Sequence, residues 1–187
     1  MKKFELTNEF ITNMFGTKLF RIRALVEFGD VEAGELGGYV EKESNLGHDD
    51  NAWVYGNARV YGDAQVSGDA RVYGNARVCG DALVCGNARV CSDALVCGNA
   101  RVCSDEDYAY AHGFGSVNRT TTFFRLKDGG VGVRCGCFYG TLAQFRDKIR
   151  ETHGETKKAQ EYLMLADLME LRFEEDENEV GNRKYVE

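Results

Sequence analysis

Residues 78–105 read VCGDALVCGNARVCSDALVCGNARVCSD, with Val at every sixth position. The same register runs without a slip from Val54 to Val102. Ala stands two residues before each of these valines, from Ala52 to Ala100, and Asn or Asp stands three after. Six is not a helical period. Within each hexad Ala-x-Val alternates, so Ala and Val share one face of a short strand while the residues between and after them face away. Gly-Asn and Gly-Asp then turn the chain, because these residues adopt positive φ at low cost. Three strands and three corners make a coil of 18 residues. Stacked coils form a triangular β-helix with parallel ladders that rises about 4.8 Å per coil.

Working outward, Val40 and Leu46 fit an imperfect first coil, with Gly47–Asn51 as a bulging insertion. The Val-x-Gly-(Asn/Asp)-Ala-x unit resembles the hexapeptide-repeat family over residues 37–105, and the resemblance implies a left-handed β-helix. The flanks differ in composition and suit end caps, which a repeat stack needs if its edges are not to recruit other chains. Residues 1–36 read as an N-terminal β cap, with strands around the turn signal Asn13–Lys18. Residues 106–115 read as a linker. Residues 116–174 read as a small α+β (ββαα) module: a strand at 120–127, the hairpin turn Asp128-Gly129-Gly130, a return strand, and two helices, the first capped by Thr141. Residues 175–187 read as an acidic, solvated tail. The expected class is therefore mainly β.

The chain has 187 residues, 22 Gly, no Pro, 43% hydrophobic residues and a formal charge of −7. A packed core is affordable at this hydrophobic content, and no basic stripe marks a nucleic-acid groove. The start, MKKFELTNEF, lacks an apolar signal core, and no apolar run approaches membrane length. The expectation is a soluble, non-secreted protein, without a membrane or nucleic-acid partner and with mostly reduced thiols.

The outward slots carry the candidate chemistry. Cys79, Cys85, Cys91, Cys97 and Cys103 follow an inward Val, so Cys79 stacks over Cys97 and Cys85 over Cys103. In-register parallel neighbours have parallel Cβ vectors, which suits a ladder of small apolar thiols better than a disulfide. Zinc needs four converging ligands, and these columns do not converge, so no metal and no cofactor is expected. Tyr55, Tyr61 and Tyr73 fill the same slot in earlier coils. Arg59, Arg71, Arg77, Arg89 and Arg101 precede their valines. Tyr and Arg together are the composition of a protein-binding surface. Exposed Tyr and Cys columns also point to a homo-oligomer, a dimer or trimer.

Hexapeptide-repeat acyltransferases use a histidine base at a subunit cleft. Here the histidines are His48, His112 and His153, all outside residues 54–105. His48, beside Asp49 and Asp50, is the candidate base, but the balance leans away from an enzyme. The stretches RIRALVEFGDVEAGELGGYVEKESNL, NARV/GDA and TTTFFRLKDGGVGVRCGCFYGTLAQF resemble small hexapeptide-repeat proteins encoded by phages and prophages. That resemblance implies a binding protein in the cytoplasm of the bacterial host, acting on a host protein, with inhibition of a host defence system as one use. The alternatives are a transferase with its site in a subunit cleft, a nucleotide-sequestering protein, and a self-assembling β-helix.

Overall fold

The computed structural model describes residues 2–117 and 119–174; the acidic segment 175–187 lies outside the described residues. The chain opens with an antiparallel pair, β1 (Phe4–Thr12) and β2 (Lys18–Ala24), followed by β3 (Leu36–Val40). Each hexad then supplies one two-residue strand: β4 (Trp53–Val54), β5 (Arg59–Val60), β6 (Gln65–Val66), β7 (Arg71–Val72), β8 (Arg77–Val78), β9 (Leu83–Val84), β10 (Arg89–Val90), β11 (Leu95–Val96) and β12 (Arg101–Val102). Every third hexad returns to the same face. The stacks are β3-β5-β8-β11, β4-β7-β10 and β6-β9-β12, parallel and in register. This is the β-helix read from the period of six.

The valines from Val54 to Val102 and the alanines from Ala52 to Ala100 are at most 1% exposed. Each valine contributes roughly 1.5–3 kcal/mol of burial before chain entropy is subtracted. Corners stack as closely as the faces. Gly68 holds φ +71°, and a Cβ there would lie 2.9 Å from the Gly86 nitrogen. Asn and Asp meet along the corners: the Asn51 amide donates to Asp69 at 2.8 Å and the Asn75 amide to Asp93 at 3.1 Å.

The ladder is polar. The N–H groups on either side of each strand centre donate to carbonyls of the following coil, as Trp53 does to Ala70 at 3.1 Å and Tyr55 to Val72 at 2.8 Å, while parallel pairing turns the N–H between them back to the coil before. The N-terminal end therefore presents mainly carbonyls and the C-terminal end mainly N–H groups; the Gly62 and Gly68 N–H groups at the first are taken by the Glu41 and Asp50 carboxylates at 2.7 and 2.6 Å. Donors close the first. Lys3 Nζ reaches the Asp50 and Ala52 carbonyls at 2.8 and 2.9 Å, and the Asn45 amide reaches the Gly62 and Ala64 carbonyls at 3.0 and 2.8 Å. Acceptors close the N–H groups of the second, and the Tyr108 hydroxyl donates to the Arg89 carbonyl there. Asp105 Oδ1 takes the Arg89 N–H at 2.7 Å, Asp107 Oδ2 the Cys103 N–H at 2.9 Å, and Thr122 Oγ1 the Leu95 N–H at 3.0 Å.

After the last coil come β13 (Tyr108–Phe114), β14 (Arg119–Arg125), β15 (Val131–Cys135) and β16 (Phe138–Thr141), an antiparallel sheet in that order. Then come α1 (Leu142–His153) and α2 (Lys157–Phe173). The expected two-stranded ββαα module thus has four strands, and most of the expected linker 106–115 is β13. Tyr108, Ala109, Tyr110 and Ala111 pair with β14, so the segment gains backbone partners that no local pattern shows. The central strand β14 is covered on both sides. Phe124 packs into the solenoid core, and Phe123 packs on Phe145 beneath the helices. Thr141 and Gln144 cap α1 reciprocally, at 3.3 and 2.9 Å, and Gly154 ends it at φ +57°.

Candidate functional site

The candidate base, His48, is part of the N-terminal closure. Its ring stacks on Phe4 with centroids 4.4 Å apart, and its Nδ1 accepts the Lys3 backbone N–H at 3.2 Å. In a neutral ring that bond places the proton on Nε2, which leaves no free lone pair for a base. Beside it, burial pushes the Lys3 ammonium down while Asp50 pulls it back. His112 Nδ1 meets Thr120 Oγ1 at 3.0 Å, and His153 stacks near Tyr162.

The Tyr and Arg set does not form one surface, because successive hexads point to different faces. Tyr55 and Tyr73 share the β4-β7-β10 face with Arg71 and Arg89; Tyr61 shares another with Arg59 and Arg77; Arg101 lies on the third. Two members are already bound within the molecule. The Tyr55 hydroxyl donates to Asp30 Oδ1 at 3.0 Å, and Arg71 donates to Asp30 Oδ2 at 2.9 Å. Burial, then the Asp30 hydrogen bond, pushes the Tyr55 hydroxyl up to about 12. Burial also raises Tyr61. Tyr73 rises through its hydrogen bond to Cys91.

The cysteines stack one coil apart, as their spacing predicts. The expectation of a thiol ladder in preference to a disulfide is overturned in one column: Cys85 and Cys103 are joined as a disulfide, with Cα atoms 4.3 Å apart. Cys103 stands where the repeat ends, so no further coil fixes its backbone direction. Cys79 and Cys97 are free. A hydrogen bond from Cys97 draws the Cys79 thiol down to about 7 against the effect of burial, and Tyr61, Arg134 and Arg77 add to the pull. The same Cys97 contact and burial push the Cys97 thiol up.

One concave site joins the repeat to the module. A cleft of about 420 Å³ lies between the corner carrying Asn75 and Asp93 and the edge of the sheet. Arg77 from β8, Arg119 from β14 and Arg134 from β15 line it, with His112, Thr120 and Leu95. Arg77 was legible as an outward residue. Arg119 and Arg134 were not legible as its neighbours, because they meet it only when β14 docks on the last coils. The break in the period at Glu106, which takes the slot of Ala, was the available signal for the end cap.

Residues 52–68 and 64–80 match the YdcK beta solenoid repeat family. The chain is also 37% identical over 75 residues to the uncharacterized acetyltransferase YdcK of Escherichia coli (strain K12). That match covers 36% of this chain and 23% of the relative, so the chain spans under a quarter of the relative's length. With the coils described above, these likenesses support the hexapeptide-repeat β-helix family for the central repeat. No helix among the described residues is long and apolar enough to cross a membrane.

Proposed function

We propose that the protein is a non-enzymatic binding protein, presenting a rigid solenoid and its C-terminal module to a protein partner. The observation that carries this reading is the outer face of α2. Met164, Leu168 and Leu171 are 72%, 53% and 68% exposed. Their i, i+4, i+7 spacing sets them on one stripe. Contiguous exposed apolar surface on a soluble domain marks an interaction site. Following the resemblance of the whole layout, the partner is a host protein in the cytoplasm of a bacterium carrying the phage or prophage, and antagonism of a defence system is one use. The test is native mass spectrometry of the tagged protein purified from such a bacterium, beside Leu168→Asp. A defined host protein in fixed ratio, lost in the variant, is expected. Clean protein, or equal capture by the variant, sinks the reading. The same spectrum reads the dimer or trimer that the outward Tyr and Cys columns suggest.

A second reading, acyl transfer, is favoured by the name of the matched relative. The Lys3 N–H on Nδ1 counts against His48 as its base. Transfer from acetyl-coenzyme A that is lost in a folded His48→Ala protein would restore His48 to that role; transfer that survives would remove it.

A further inference from the structure

The cleft between the repeat and the module gathers charge of one sign. Three guanidinium groups line it against one carboxylate, Asp93, in a chain whose formal charge is −7. Elsewhere arginines meet acids: Arg21 with Glu9, Arg23 with Glu5, Arg71 with Asp30, and Arg146 with Asp167 and Glu170. Arg77, Arg119 and Arg134 form no ion pair among the described residues. Arg134 Nη1 reaches the Cys137 carbonyl at 3.5 Å, while its Nε is buried and has no hydrogen-bond partner, a donor that water, an ion or a ligand could satisfy. The turn after β15 leaves room for Arg119. Gly136 holds φ +58°, and a Cβ there would collide with the Arg119 guanidinium.

The backbone that carries Arg77 and Arg134 is fixed by strand pairing. Arg77 stands on the coil stack, in register with Arg59 and Leu95. Arg134 stands in a paired strand opposite Thr122, whose hydroxyl is tied to the Leu95 N–H. Guanidinium forks match phosphate oxygens two at a time, and their geometry favours phosphate over a point anion. Asn75 and Asp93, bonded to each other at 3.1 Å, offer an amide and a carboxylate to hydroxyl groups, and Leu95 gives an apolar wall. The volume lies in the range of small-molecule sites. We infer that this cleft binds a small organic phosphate with a hydroxyl-bearing body, its phosphoryl group held by Arg77, Arg119 and Arg134.

The test is isothermal titration of the full chain, at about physiological salt so that loose surface pairing is screened, with pyrophosphate, ribose 5-phosphate, sulfate and citrate as probes. Saturable one-site binding of pyrophosphate and ribose 5-phosphate is expected, with sulfate and citrate at least about tenfold weaker. Arg134→Gln and Arg77→Gln should each weaken both phosphates by about tenfold or more, while Arg125→Gln, which stacks on Phe173, leaves them unchanged. Arg77 is exposed, so its variant keeps the test valid if Arg134→Gln fails to fold. No saturable binding of either phosphate, equal binding of citrate, or indifference to Arg77→Gln overturns the assignment. The outer face of α2 is not part of the cleft, so the protein-partner reading stands or falls separately.

Discussion

The two ends of the solenoid are built from the same hexad, and donors predominate in closing one, acceptors in closing the other. At the N-terminal end an ammonium and an amide donate to carbonyls; at the C-terminal end two carboxylates and a hydroxyl accept from N–H groups. A parallel ladder has a direction, and the direction decides what can cover each end. A lysine placed as Lys3 is would find fewer acceptors at the other end, where N–H groups predominate. End-to-end self-assembly would need both closures removed.

Substitution at the carbonyl end should have the largest effect. Lys3→Met leaves two carbonyls and the Asp50 carboxylate without their buried cation, at a cost of about 3–5 kcal/mol. Denaturant unfolding measures it; a loss below about 1 kcal/mol would mean that water closes this end as well as lysine does. The donor end is closed by several separate acceptors, so each matters less. Thr122→Val strips the Leu95 N–H and Asp107→Ala strips those of Cys103 and Ser104, each costing about 1–3 kcal/mol. Faster hydrogen exchange at those amides, with the amides of β7 unaffected, would show the damage confined to that end. If either variant matched Lys3→Met, the contrast between a concentrated and a distributed closure would be gone.

The smallest effect concerns the wall between the ends. The Cys79 thiol lies at about 7, below the ordinary thiol value. Its thiolate therefore adds stability above the ordinary value, and that contribution is lost as pH falls through about 7. Peptide-resolved alkylation should show Cys79 reactivity rising through this pH. Cys97→Val, by removing the hydrogen bond that leads the shift, should move the midpoint upward. An unmoved midpoint would assign the shift to Arg134 and Arg77 instead.

The repeat was legible because its information is local and redundant. Every hexad states the same inward pair, and Val54 and Val102 occupy equivalent positions 48 residues apart. The module was only partly legible. Thr141, Gly154 and the Asp128-Gly129-Gly130 turn act locally and stand where the sequence puts them. The strand Tyr108–Phe114 depends on pairing with Thr121–Phe124 across a loop, and its Tyr108-x-Tyr110-x-His112 alternation was the overlooked sign. Outward residues were identified as outward but not sorted by face, since a period of six does not say which side of a triangle a hexad takes until coils are counted. The arginine cleft lay beyond reach for another reason: Arg77 and Arg134 are brought together by docking of the module on the last coils.

The coil also turns chain length into a discrete quantity. Adding or removing 18 residues restores every column and moves the caps apart or together by one strand spacing, about 4.8 Å, with little rotation. Any other increment forces an outward bulge, as Gly47–Asn51 does. The molecule is in this sense a ruler graduated in coils. A coil inserted before Asn75 would lengthen it and leave the arginine cleft whole; one inserted after Leu95 would carry Arg119 and Arg134 a full graduation away from Arg77.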